Sequence, residues 1–287
     1  MTIEDSYKYC EKIAKEHYEN FPIASFFIPK EKRKYIYSIY AYARAADDFA
    51  DEVGIGDKEK RLKLLDEWNS KLNNTGNGNA SEPVFIALKQ TMKDCDIPKK
   101  PLENLLKAFK QDVIKNRYID FDEVLQYCVN SANPVGRLVL MVFGIHDEKY
   151  FMLSDKICTA LQLTNFWQDV EIDMKKDRIY IPLEEMKSYG YSEKDLCDRI
   201  YNDNFIKLMK FQVERTEKLF KEGKALIKLI SENPGTIKLA RELKLIWLGG
   251  MEILKSIKKA DYNIFKYRPE ITFWDKLKLF YRSGLKY

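Results

Sequence analysis

Histidine is nearly missing from this chain: His17 and His146 are the two in 287 residues. That scarcity argues against a histidine-rich metal centre and a serine–histidine–aspartate triad. The five cysteines, Cys10, Cys95, Cys128, Cys158 and Cys197, are odd in number and never fall as C-x-x-C. Neither a disulfide framework nor a zinc site is indicated, and a reducing cytoplasm is the expected location. The opening MTIEDSYKYCEK lacks an apolar core and does not read as a secretory leader. Long hydrophobic runs are absent too; the stretch around Leu138 to Ile145 is too short to span a bilayer. Neither charge sign dominates, with 49 basic against 44 acidic residues and a net charge of +5. A surface meeting anionic substrates or anionic lipid fits this mild excess; a nucleic-acid partner is not expected.

Glycine and proline are sparse, at 12 and 9, so long periodic stretches run unbroken. Periodicity predicts helices over 4–19, 31–52, 58–73, 82–93, 99–115, 121–130, 134–144, 148–173, 192–197, 202–230, 233–258 and 273–283. NNTGNGN, residues 73–79, reads as a loop, and RIYIP, residues 178–182, as a short extended exit from a helix. No composition shift marks a boundary, so one all-α domain over 1–287 is expected. A helical bundle is a natural frame for a ligand pocket built from facing helices. The 16 Phe, 18 Tyr and 4 Trp suit either ordinary core packing or the walls of a deep apolar cavity.

Two aspartate pairs carry the chemistry. Asp47 and Asp51 in ARAADDFADE are four residues apart, and Asp169 and Asp173 in NFWQDVEID repeat the spacing. On a helix, positions i and i+4 share a face, so each pair offers two carboxylates to one place. Like charges that close repel unless a cation bridges them. Oxygen-only ligands on few carboxylates suit Mg²⁺, which commonly bridges protein carboxylates to substrate phosphates. Arg44 lies near the face of Asp47, as a surface ion pair or as a fork for phosphate. Asp48 points about 100° away from Asp47 and reads as a supporting or solvated acid. Gln162, Asn165, Asp169 and Asp173 form a polar stripe on an otherwise apolar helix, which suits a lined cavity. Lys175, Lys176 and Arg178 follow, either complementing a helix C-terminus or closing over a diphosphate.

The blocks HYENFPIAS, YAYARAADDFADE, YCVNSANPVGR, ALQLTNFWQDVEID and DRIYIP, in this order, resemble the squalene/phytoene synthase family. The resemblance runs from about Tyr7 to Arg268. It implies an isoprenoid-synthase helical bundle with a central cavity and head-to-head prenyltransferase chemistry. It places Asp47, Asp51, Asp169 and Asp173 on Mg²⁺, and Arg44 on a diphosphate. Phe21, Tyr40, Tyr127, Gln162 and Asn165 match positions lining the family's pocket; Arg178 and Arg268 are further cations for the substrate. Two departures stand out: Asn133 and Pro134 precede Val135-Gly136 where the family commonly has Ala-Gly, and Gln168 stands where an arginine is frequent. These variants resemble the bacterial hydroxysqualene synthase branch. That branch turns presqualene diphosphate and water into hydroxysqualene without NADPH, with Tyr127, Asn133 and Asn165 as the polar residues to position water. The alternative within the family is condensation of two prenyl diphosphates, such as farnesyl diphosphate, to presqualene diphosphate, dehydrosqualene or phytoene. DDFAD also fits the D-D-x-x-D motif of head-to-tail synthases, but DVEID supplies no second copy.

The C-terminal ITFWDKLKLFYRSGLKY can place Phe273, Trp274, Leu277, Phe280 and Tyr281 on one helix side. It is expected either to dock on the bundle or to contact anionic lipid at the inner membrane face.

Overall fold

The computed structural model describes residues 1–16, 28–51, 56–75, 81–272, 275, 279 and 283. Among these residues helices dominate and no strand occurs; one isolated parallel bridge joins Arg117 and Ile179. The first helices are α1 (Ile3–Glu16), α2 (Lys30–Asp51), α3 (Lys58–Asn74), α4 (Pro83–Asp94), α5 (Lys100–Ile114), α6 (Phe121–Ser131) and α7 (Asn133–Val142). There follow α8 (Glu148–Gln168), α9 (Val170–Lys175), α10 (Leu183–Ser188), α11 (Glu193–Cys197), α12 (Asp203–Gly223), α13 (Ala225–Ser231) and α14 (Ile237–Lys259). They sort into two compact units, Met1–Ile114 with Asn133–Met152, and Lys115–Ala132 with Leu153–Tyr287.

Three features of this element order differ from the periodic expectation. The helix expected over 148–173 stops at Gln168 and restarts at Val170, with Asp169 between them at φ −106° and ψ 13°. The apolar rhythm continues through this point, so periodicity could not locate the break. The helix expected over 202–230 divides at Lys224, and Leu183–Ser188 forms a short helix outside the expected ranges. Local chemistry explains other ends. Asp57 accepts from Lys60 N at 3.0 Å and Asp120 from Glu123 N at 2.9 Å, each satisfying a donor that a helix start leaves open. Ser192 and Asp195 cap α11 reciprocally.

In the first unit α2 packs against α1, α3, α4, α5 and α7. Its buried Ile39, Tyr42, Ala46 and Ala50 recur at helical spacing, and the alanines let neighbours approach closely. Tyr42 stacks on Trp68 with centroids 6.0 Å apart, and Trp68 meets Phe85 at 4.5 Å. Buried hydroxyls here find partners: the Ser38 and Thr91 hydroxyls share a bond of 2.7 Å, and Tyr42 Oη donates to Leu102 O at 3.3 Å. With this side of α2 anchored, Tyr40, Ala43, Arg44, Asp47 and Asp51 remain only half-buried.

In the second unit α12, α13 and α14 pack together. Trp167, at the end of α8, is fully buried and donates Nε1–H to Thr216 Oγ1 on α12 at 2.8 Å. Arg215 forks onto both oxygens of Glu185, at 2.6 and 2.9 Å, and its guanidinium lies 3.2 Å from the Phe121 ring centroid. Gly250 allows a close crossing: a Cβ there would sit 2.3 Å from Phe220 Cζ and 3.1 Å from Leu161 Cδ2. Among the described residues no helix is long and apolar enough to cross a membrane. Of the C-terminal segment only Ile271, Thr272, Asp275, Leu279 and Ser283 are described. Thr272 and Asp275 bond reciprocally, and Leu279 and Ser283 are buried. Phe273, Trp274, Leu277, Phe280 and Tyr281 lie outside the described residues.

Candidate functional site

Each unit carries one aspartate pair. In the first, Asp47 and Asp51 sit one turn apart at the C-terminal end of α2. Cations suit that end of a helix and acids do not, so two carboxylates there raise the demand for a counter-charge. Arg44, one turn earlier, answers part of it: Nη1 lies 3.4 Å from Asp47 Oδ2, and Nη2 bonds Asp48 Oδ1. Asp48 therefore pairs with the arginine and is half-buried.

Beside this pair lies a cleft of about 340 Å³. Ile39, Leu105, Phe109, Val135 and Leu138 give it apolar walls, and Tyr40, Arg44 and Asp47 complete the lining. A ligand with a long apolar chain and an anionic head matches that distribution. Asn133, the first residue of α7, is buried in the same unit. Phe21 lies outside the described residues.

In the second unit the polar stripe of α8 leads into the other pair. Gln162 is half-buried and Asn165 exposed. Asn165 Nδ2 donates to Asp169 Oδ2 at 2.7 Å. Asp173 N bonds Asp169 O at 2.9 Å, so the two acids stay one turn apart despite the break at Asp169. The other oxygen of Asp169, Oδ1, accepts from Arg268 Nε at 2.7 Å. That bond to Asp169, and a second to Glu270, hold the Arg268 guanidinium more firmly protonated than usual. Arg178 is half-buried just after a turn at Asp177, whose φ is +56°.

Tyr127 is buried in an aromatic cluster of this unit. Its ring centroid lies 5.9 Å from Tyr118, 5.8 Å from Phe166 and 5.7 Å from Tyr180. Sequence reasoning missed Tyr118 and Tyr180 as neighbours of Tyr127, although Tyr180 belongs to the DRIYIP block. It also missed the clamp that holds this block. Arg117 Nη2 bonds Asp177 Oδ1 and Glu193 Oε1, each at 2.7 Å, and Nε reaches Glu193 Oε1 at 2.9 Å. Asn116 adds a bond from Nδ2 to Asp177 Oδ2 at 2.7 Å and accepts from Ile179 N at 2.9 Å.

Both pairs offer hard oxygen donors. Among the described residues no three or more His, Cys, Asp or Glu side chains cluster as a metal cage. Paired carboxylates without a full cage are the donor set Mg²⁺ uses when phosphate oxygens and waters complete its shell. The residues present fit that ion.

An all-helical chain with two such pairs, and an apolar cleft that carries an arginine, has the architecture of an isoprenoid synthase. The family model for squalene/phytoene synthase matches residues 14–275. The chain belongs to that family. Similar solved structures include squalene synthase HpnC from Alicyclobacillus acidocaldarius, with TM-score 0.85 and 37% identity, covering 91% of this chain and 96% of that one. A dehydrosqualene synthase in complex with ligand shares the fold at TM-score 0.83 and 23% identity, over 98% of this chain and 96% of that one. Among curated relatives, a hydroxysqualene synthase of Zymomonas mobilis is 42% identical over 62% of this chain and 59% of its own. A phytoene synthase of Arthrospira platensis is 28% identical over 96% of this chain and 91% of its own.

Proposed function

We propose that this protein ionises a prenyl diphosphate, and that its reaction is the conversion of presqualene diphosphate and water to hydroxysqualene and diphosphate. The observation that carries the reading is the cleft beside α2, whose apolar walls run to Arg44 and Asp47. It suits a molecule that is hydrocarbon at one end and diphosphate at the other. Identity to a hydroxysqualene synthase at 42%, and the Asn133-Pro134 and Gln168 variants, support the branch.

The chemical problem is to break a carbon–oxygen bond at a cyclopropylcarbinyl carbon. The bonding pair leaves with the diphosphate and a carbocation remains. Mg²⁺ held by Asp47, Asp51, Asp169 and Asp173 would neutralise the departing oxygens. Arg44, Arg178 and Arg268 would take the rest of that charge as bidentate donors. Tyr40, Phe21 and Gln162 are assigned to the substrate, and the rings of Tyr40 and Phe21 offer faces that stabilise a cation without reacting with it. Tyr127, Asn133 and Asn165 are assigned to one water, which adds through oxygen to the rearranged cation and loses a proton to give the alcohol. No hydride is needed, so no NADPH is expected. Any membrane contact through the C-terminal segment would serve the lipid substrate and product.

The test is purified protein with presqualene diphosphate and Mg²⁺ and no reductant. Hydroxysqualene is the expected product. Protein that leaves presqualene diphosphate intact and instead consumes farnesyl or geranylgeranyl diphosphate to form presqualene diphosphate or phytoene would overturn the branch assignment. That second reading, head-to-head condensation, is supported by the phytoene synthases matching over 96% of the chain.

A further inference from the structure

Two adjacent residues at the end of α8 grip two adjacent residues about a hundred positions later. Gln168 Nε2 donates to Pro269 O at 2.6 Å. Next to it, Asp169 Oδ1 accepts from Arg268 Nε at 2.7 Å. Pro269 is buried between the exposed Arg268 and Glu270, so the chain is anchored there and its neighbours project. Arg268 is held on its other side by Glu270, whose Oε1 accepts from Nη1 at 2.6 Å. An arginine has five N–H donors, and these two bonds use one from Nε and one from Nη1. The Nη2 amino group has no hydrogen-bond partner among the described residues, and the side chain is 41% exposed.

We propose that Gln168 is a positioning residue for Arg268. Its amide pins the backbone at Pro269, which sets the guanidinium against Asp169 and leaves the remaining donors for an anion at that carboxylate. An exposed arginine otherwise pays several rotatable bonds of entropy to occupy one place. Anchoring the next residue's carbonyl removes part of that cost before the anion arrives, which is preorganisation. A neutral amide does this without adding a second positive charge beside Arg268, which a longer cation at 168 would do. The inference rests on the reading that Asp169 and Arg268 meet a diphosphate.

The experiment uses the full chain and four variants: Gln168→Met, which keeps length but loses the donor; Gln168→Lys, which keeps a donor; Arg268→Ala; and Gln168→Met with Arg268→Ala. Backbone hydrogen exchange is read over residues 264–272 without ligand, and inorganic pyrophosphate affinity by calorimetry with Mg²⁺. Gln168→Met should speed exchange in that segment and weaken pyrophosphate about 3- to 10-fold, the scale of one hydrogen bond. Gln168→Lys should recover at least half of the exchange protection, the readout that its added charge does not move. In the Arg268→Ala background, Gln168→Met should change pyrophosphate affinity less than about 2-fold, because it acts through Arg268. Unchanged exchange in Gln168→Met overturns the anchor. A penalty that persists at full size without Arg268 overturns the coupling. Wild-type protein that binds no pyrophosphate, yet shows faster exchange in Gln168→Met, overturns the diphosphate reading and leaves the anchor standing.

Discussion

The ring of Tyr180 lies flat on Phe166, with centroids 3.7 Å apart and planes 8° from parallel. The contact ties the DRIYIP block to the last turns of α8, one residue from the buried Trp167 and three from Asp169. Loss of the ring leaves a cavity beside Tyr118 and Tyr127, both buried. Tyr180→Ala should cost about 3–5 kcal/mol in urea unfolding, the range for large aromatic truncations in a core. A loss below about 1 kcal/mol would show that the stack does not hold this region.

Asp47→Ala and Asp169→Ala should each abolish Mg²⁺-dependent diphosphate release, and EDTA should do the same to the unaltered protein. A second readout separates binding from turnover. Pyrophosphate with Mg²⁺ at a hundredfold excess over Kd stabilises a folded protein by about 2.7 kcal/mol. The Tm of the unaltered protein should rise accordingly, and that of either variant should stay near its ligand-free value. A full rise in Asp169→Ala would remove this acid from the metal assignment.

Arg117 joins Asp177 and Glu193, and its backbone pairs with Ile179. Because the clamp is partly exposed, screening limits it, and Arg117→Ala should cost about 1–2 kcal/mol. Hydrogen exchange should rise over residues 176–181. Arg117→Lys should recover less than half, since a single ammonium cannot reproduce the fork.

Gly250 is where α14 passes Phe220 and Leu161. Gly250→Ala gains helix propensity but forces a methyl into 2.3 Å of Phe220 Cζ. The clash should win, with a net loss of about 1–3 kcal/mol by chemical denaturation. Equal or greater stability would mean that Phe220 yields freely.

Burial pushes the thiols of Cys10 and Cys128 up to about 12 each. At pH 8 they hold almost no thiolate, whereas Cys197 is exposed. Iodoacetamide at pH 8 should label Cys197 well before Cys10 or Cys128, read by peptide mass spectrometry. Raising the pH to 9.5 should leave the buried pair unlabelled while the protein stays folded.

The sequence by itself determined what depends on a few neighbouring residues. The helical class and the one-turn spacing within each aspartate pair follow from geometry between i and i+4. Arg44 was legible as a partner of Asp47 for the same reason. Tertiary structure alone decided the break at Asp169, the cleft between α2, α5 and α7, and the partners of Gln168 and Arg268. Those partners stand 101 and 99 residues away, and Arg117 finds Glu193 across 76. A pairing over such a separation exists only once the chain has returned on itself, and no local pattern of residue types records which return it makes.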